Sequence, residues 1–276
     1  MSAGSPHLIG WSGDTRSESV LAVIDADTSV IEFTVWGVWD RTLSVQARTV
    51  VDKCLAEHPT ALIIDLHELS DPHAVSAPLW LTACAQGAAM HPPVAVAVCL
   101  APDDPLAGRL RRLGGRDWLV LYATVPQARD ALAGRRTLPG RLHLVLPPDP
   151  ASAVQARALV TEACSGWDLR HLGERSRLVV SELVVNAAEH AGTDIEVTVS
   201  PRGAGTASAV HLAVYDGDSD LPRLREPVPG LLGPSLVDRG LGLRIVGAAA
   251  SSWGALPARS GKLVWAIVRS RPEVPA

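Results

Sequence analysis

Lysine and aromatic residues are scarce in this chain. Among 276 residues, Lys53 and Lys262 are the only lysines, so arginine carries nearly all of the basic charge. That usage reads first as genomic composition and not as chemistry. Aromatics make up 4%, as eight tryptophans, two tyrosines and one phenylalanine, which leaves Val, Leu, Ile and Ala to fill the interior. Neither charge dominates: the net charge is −4 and the pI about 6.1. A general nucleic-acid footprint needs a clear basic excess, so no direct nucleic-acid partner is expected.

Cysteine chemistry is also missing. Cys54, Cys84, Cys99 and Cys164 are widely spaced, with no C-x-x-C and no Cys/His cluster. Neither a zinc site nor a disulfide framework fits that spacing. The longest apolar runs, such as Val94 to Ala101, reach about half a membrane span. Met1 to Arg16 places polar residues and glycine where a signal peptide carries an apolar core. The expectation is a soluble, cytoplasmic protein with no membrane partner.

What is present is core-forming material. The chain is 47% hydrophobic and 20% charged with a mean hydropathy of +0.18, which argues against a largely disordered chain. Its length suits one large domain or two of ordinary size. Gly134 to Arg141 is a polar stretch containing Pro139 and Gly140, and it reads as a linker. The expected organisation is a tail over 1–19, a first domain over 20–133, the linker over 134–141, a second domain over 142–270 and a tail over 271–276.

In the first domain, β-like runs at Val30–Trp36, Ala61–Asp65, Val94–Leu100 and Trp118–Tyr122 alternate with helical patterns. The helices are expected near Leu43–Glu57, Ser76–Met90, Asp104–Leu113 and Val125–Ala133. This alternation predicts an α/β layer with a partly parallel sheet. Trp36, Trp39 and Trp80 read as core, and His67, His73 and His91 lack metal spacing. In the second domain a strand at Leu142–Leu146 precedes helices near Pro150–Cys164 and Leu172–His190. Strands follow at Asp194–Ser200 and Ala209–Tyr215, then a helix near Leu241–Ser252 and a strand at Lys262–Val268. Helices grouped apart from hairpin strands predict α+β order, with helices on one face of a mainly antiparallel sheet.

Four features of the second domain carry chemistry. In the apolar helix Arg177 to His190, Glu182 and Asn186 stand four residues apart and point the same way. Two readings stand: a solvated helix edge, or a site where the Asn oxygen ligates Mg²⁺ and the Glu handles a proton. Asp216, followed by Gly217 at a strand end, can place a carboxylate in a crevice to accept from an amino group such as that of adenine. It also fits an ordinary Asp-Gly turn. Gly240 and Gly242 enter a helix whose free N–H groups suit phosphate, and each singly also fits a turn. A dinucleotide fingerprint would need glycine at Ile245, and a P-loop would need it at Leu256. Finally, Gly217 to Asp238 holds Pro222, Pro227, Pro229 and Pro234 and reads as a lid between these motifs.

The succession S-E-L-V-V-N-A-A-E-H, V-Y-D-G-D-S, lid, D-R-G-L-G-L-R-I-V and G-K-L-V-W-A-I-V resembles the GHKL ATPase superfamily. Within it, the chain looks most like the bacterial anti-sigma-factor serine kinases. The resemblance spans about Leu142 to Arg269 and includes the lead-in Trp167-Asp168-Leu169. It implies a Bergerat-type α/β sandwich with ATP and Mg²⁺ held between helices and lid. By that resemblance Glu182 is the catalytic base, Asn186 the Mg²⁺ ligand and His190 the histidine ending the asparagine box. Asp216 is the adenine-binding residue, and Gly240 and Gly242 are the phosphate-loop glycines. The attacking hydroxyl belongs to a protein serine or to water. Asp218 and Asp220 stand where glycines are commonest, and Glu189 adds a negative charge, so repulsion of ATP is expected at these three positions.

The order of elements from Val30 to Ala133 resembles a STAS domain, the fold of anti-sigma antagonists, through Leu62-Ile63-Ile64-Asp65-Leu66 and the helix near Ser76. Where that family carries a phosphorylated serine, His73, Ala74 and Val75 fall here. With a two-residue insertion Ser76 takes the place, and Pro78 replaces the glycine. A binding or sensory role is expected for this domain. Together the two resemblances imply a kinase acting in a sigma-factor partner-switching circuit. Its partners would be a STAS-domain anti-sigma antagonist, a sigma factor or both, and a homodimer is implied by the family alone. The alternative is a non-catalytic interaction module with weak or no nucleotide binding.

Overall fold

The computed structural model describes residues 7–8, 19–25, 27–114, 119–133, 140–203, 205, 208–222 and 241–270. The chain divides into one unit over Ile9–Leu138 and another comprising Met1–Leu8 with Pro139–Ala276. The first described strand, β1 (His7–Leu8), belongs to the latter, C-terminal unit.

In the N-terminal unit, β2 (Val20–Asp25) pairs antiparallel with β3 (Val30–Val38). Asp25 closes the intervening turn by accepting from the Thr28 N–H at 3.0 Å. From β3 onward pairing is parallel, through β4 (Ala61–Ser70), β5 (Ala95–Cys99) and β6 (Val120–Tyr122). The three crossovers are made by α1 (Arg41–Glu57), α2 (Ala77–Ala89) and α3 (Pro105–Gly114), and α4 (Val125–Ala133) follows the last of these strands. Ala61, Leu62, Ile63 and Ile64 are all buried, as a parallel strand covered on both faces requires. Ile63, Ala97 and Cys99 pack under Ala128 and Leu132 of α4. Phe33 and Trp39 meet Trp80 of α2 at ring separations of 6.5 and 5.7 Å.

Two strands depart from the expected elements, one added and one longer than expected. Strand β2 was not foreseen, although its alternating burial is that of a half-buried strand. Strand β4 does not stop at Asp65 but runs on to Ser70. Asp65 breaks nothing because its carboxylate accepts from both the backbone N–H and the Nδ1 of His67 within the strand. A register shift between Thr34 and Trp36 of β3 absorbs the extension.

In the C-terminal unit, β7 (Leu142–Leu146) leads through a 3₁₀ turn (Pro150–Ser152) into α5 (Ala153–Gly166) and α6 (Arg170–His190). Then come β8 (Ile195–Arg202), β9 (Ala209–Asp216), α7 (Leu241–Ala249), β10 (Ser252–Ala258) and β11 (Gly261–Arg269). The strand order within the unit is β10-β11-β9-β8-β7, antiparallel throughout, and β1 adds to β10 in parallel. One face presents Ile195, Val197, Val199, Val210, Leu212, Val214, Val264 and Ala266 to Val160, Val179, Leu183 and Val246 of the three helices. The unit is thus an α/β sandwich with helices α5, α6 and α7 on one face of an antiparallel sheet.

The helix expected to reach Ser252 ends at Ala249, and Ser252–Ala258 forms a strand that was not foreseen. The chain turns where the Ser251 N–H donates to the Ile267 carbonyl at 2.7 Å, which joins it to β11 instead of another helical turn. Trp253 is then buried against the helices. Among the described residues no helix is long and apolar enough to cross a membrane.

Candidate functional site

The faces of α6 that meet α5 and the sheet are lined by Val179, Val180, Leu183, Val184 and Ala187, all buried. Arg175, Glu182, Asn186 and Glu189 share the remaining stripe, at steps of seven, four and three residues. This stripe meets α7 at both ends. Arg175 donates from Nε and an Nη to the Ala249 carbonyl, at 3.1 and 2.6 Å, and from the other Nη to the Arg269 carbonyl at 2.7 Å. A cation therefore satisfies the C-terminal carbonyl of α7. Two turns along, Glu182 lies over the first turn of α7: a β-carbon added at Gly242 would stand 2.8 Å from Oε2. Glycine at 242 is what leaves room for that carboxylate.

Glu182 is half-buried, and its carboxyl is held above the ordinary carboxylate value, first by burial and then by the negative charge of Glu189. A carboxyl tuned upward is better matched to proton transfer near neutral pH. Asn186 is half-buried, and its side chain makes no hydrogen bond among the described residues. Its amide oxygen is a hard donor of the type Mg²⁺ accepts, one turn from the Glu182 carboxylate. Among the described residues there is no cluster of three or more His, Cys, Asp or Glu able to hold a metal ion.

A second group of charges lies beyond the C-terminal end of α6. Asp216, the last residue of β9, stands directly opposite Lys262 of β11. Their side chains are 1% and 2% exposed, with Nζ 2.9 Å from Asp216 Oδ1. The same ammonium is 2.6 Å from Asp218 Oδ2 and 3.4 Å from the Asp218 carbonyl. Burial lifts the Asp216 carboxyl above its ordinary value, and the Lys262 hydrogen bond and charge offset only part of this. At Asp218 burial also pulls upward, but the Lys262 hydrogen bond, the Asp220 N–H and the charges of Lys262 and His190 outweigh it and hold that carboxyl low. The Asp218 N–H donates to Asp216 Oδ1 at 3.0 Å, and the Gly217 N–H donates to Thr193 Oγ1 at 2.9 Å. Gly261 permits this pairing. Its φ is +146°, and a β-carbon there would fall 1.9 Å from the Asp216 carbonyl oxygen.

Of the residues singled out from the sequence, Glu182 and Gly242 come together, with Asn186 on the same stripe of α6. His190 ends α6 close enough to Asp218 to act on its charge, and Asp216 is buried beneath. Gly240 lies outside the described residues, as does the lid from 223 onward. Sequence reasoning missed Lys262, the partner of Asp216. Its signal was present, since one of only two lysines opens an otherwise apolar strand. Asp218 does not stand as an open repulsive charge, because Lys262 meets it. In the N-terminal unit Ser76 is 1% exposed, and its Oγ accepts from Trp80 Nε1 at 2.9 Å. The Ser76 N–H is held by Asp71 Oδ2 at 2.8 Å.

No protein-family model matches the chain, and no curated protein matches it. Among solved structures similar to its N-terminal part are two anti-sigma factor antagonists. An anti-sigma factor antagonist from Mycobacterium paratuberculosis is 22% identical over 42% of this chain and 95% of that one, with a TM-score of 0.34. The anti-sigma factor antagonist SpoIIAA in its unphosphorylated form is 17% identical over 42% of this chain and 96% of that one, with a TM-score of 0.32. At these values neither likeness bears on activity.

Proposed function

We propose that this chain is an ATP-binding regulatory protein of the anti-sigma-factor serine-kinase type, with a STAS-like binding domain in front of a GHKL-like unit. The observation that carries the reading is the placement of Glu182 and Asn186 on one stripe of α6, with Glu182 at the glycine-bearing first turn of α7. In this reading α7 offers backbone N–H groups to the phosphates, and Asn186 holds a Mg²⁺ that neutralises phosphate charge. Glu182 takes the proton of the attacking hydroxyl, a task its raised pKa suits. The partner would be a STAS-domain anti-sigma antagonist, a sigma factor or both. A buried Ser76 with an occupied hydroxyl favours a binding role for the N-terminal unit over that of phosphate acceptor.

Titration of the full chain with Mg-ATP by calorimetry, beside release of labelled phosphate, tests this reading. Saturable binding weakened at least tenfold in Asn186→Ala, with turnover lost in Glu182→Gln while binding persists, is the expected result. Turnover that survives Glu182→Gln removes that residue from its role. The second reading, a non-catalytic interaction module, is favoured by one observation, the Lys262 ammonium seated on Asp216. It predicts partner binding with no phosphate release by any variant.

A further inference from the structure

Lys262 and Asp216 occupy the place where, on the nucleotide-binding reading above, a base would be recognised. Recognition of an adenine amino group needs a buried carboxylate oxygen free to accept from a neutral N–H donor. Here Oδ1 already accepts twice, from Lys262 Nζ at 2.9 Å and from the Asp218 N–H at 3.0 Å, and only Oδ2 is left, on a carboxylate whose charge the ammonium compensates. An ammonium has three N–H donors and no acceptor. All three have partners: Asp216 Oδ1, Asp218 Oδ2 and, at 3.4 Å, the Asp218 carbonyl.

The competition between ammonium and base is unequal. A charge-assisted hydrogen bond is about twice as strong as a neutral one, and both side chains are shut off from water, where that advantage is greatest. The lysine is also held in place by its own strand. Lys262 and Asp216 are a directly opposed pair of β11 and β9, and Gly261 brings the two backbones close enough for the short side-chain contact. Because the three donors are committed, the ammonium has none left to offer a keto base instead.

We propose that Lys262 is an internal competitor in the base site: its ammonium takes Oδ1 and neutralises the Asp216 carboxylate, so that an adenine amino group would find only Oδ2 of a compensated charge, and this lysine removes the unit's preference for adenine. The wild-type chain then holds nucleotide through phosphate and Mg²⁺ contacts alone, weakly and with no preference between ATP and GTP. This inference rests on the nucleotide-binding reading of the C-terminal unit and adds a residue to it.

The test is a titration of the full chain with Mg-ATP and Mg-GTP by calorimetry, supplemented by ligand-observed NMR for millimolar affinities. In wild type the two dissociation constants should agree within about threefold. Lys262→Thr should tighten ATP at least tenfold without tightening GTP, and adding Asp216→Asn to that variant should remove the gain. Far-UV circular dichroism checks folding. If Lys262→Thr does not fold, the double variant Lys262→Met/Asp218→Asn removes the cation with one of its counter-charges and carries the same expectation. A wild-type protein that already prefers ATP tenfold overturns the role of the lysine while leaving the nucleotide site intact. So does a gain that survives Asp216→Asn. If no folded variant binds either nucleotide, the nucleotide reading falls and the proposal falls with it.

Discussion

Lys262 Nζ lies 2.9 Å from Asp216 Oδ1 across the β9–β11 pairing, and neither side chain is more than 2% exposed. Two charges withdrawn from water are tolerable because each is the other's partner and Asp218 supplies a second anion. Removing only the cation leaves a buried carboxylate without compensation. Lys262→Ala should therefore cost about 3–5 kcal/mol, read from urea unfolding of the full chain. The pair replacement Lys262→Met/Asp216→Leu should cost much less. Equal losses in both variants would mean that packing, and not charge, is what the lysine provides.

Glu182 should titrate above an ordinary carboxyl group, first through burial and second through Glu189. Glu189→Gln removes only the second cause. The Glu182 midpoint, followed by carboxyl carbon NMR, should move down in that variant yet stay above its ordinary value. If Glu182 acts as a base, the acid limb of turnover moves down with it.

Arg175 ties α6 to the end of α7 and to the end of β11 through the carbonyls of Ala249 and Arg269. Arg175→Ala strands these acceptors and should destabilise the C-terminal unit by about 1–3 kcal/mol in chemical unfolding. Arg175→Lys, which cannot fork to two carbonyls, should recover only part of the loss.

His67 joins β4 to the segment after β6. Its Nδ1 donates to Asp65 at 2.6 Å, and its Nε2 is 2.9 Å from the Ala123 carbonyl. Both contacts are donations only in the imidazolium form. The Asp65 hydrogen bond leads in raising the His67 pKa above its ordinary 6.5, with burial opposing. Because the folded value is the higher one, this stabilisation is complete below the unfolded value and is lost as pH rises through the folded value. Melting temperatures measured over roughly pH 6 to 9 should fall more steeply for wild type than for His67→Gln. Parallel profiles would show that the contact carries no pH dependence.

Ser76 is buried and accepts from Trp80 Nε1. Ser76→Ala removes the acceptor and should cost about 1–3 kcal/mol. Ser76→Asp forces a carboxylate into the same space and should cost more. Incubation with Mg-ATP followed by mass spectrometry should find no phosphate on Ser76, and modification of that residue in the folded protein would contradict its burial.

Where periodicity is strong, the sequence was enough to set the element types. It marked α4 to the residue, most of α1 and α6, and the apolar strands β3, β5 and β11, because repeats of two and 3.6 residues are local properties of a chain that must bury one face. It also placed Glu182 and Asn186 on a common helix stripe, since four-residue spacing does so in any helix. Strand β10 escaped because Ser252–Ala258 is a strand only by virtue of pairing with Gly261–Arg269. Strand β4 outran its expected end because Asp65 finds its partner within the strand.

Tertiary structure alone decided which charges meet. Asp216 and Lys262 are far apart in the chain, and nothing local in either segment specifies that β9 and β11 are neighbours in a register that sets one against the other. The same holds for Glu182 over Gly242, which depends on α7 packing antiparallel along α6. Ionic and dipolar interactions act through space over a few ångströms, so a residue's identity can be read from the sequence but the sign of its surroundings cannot.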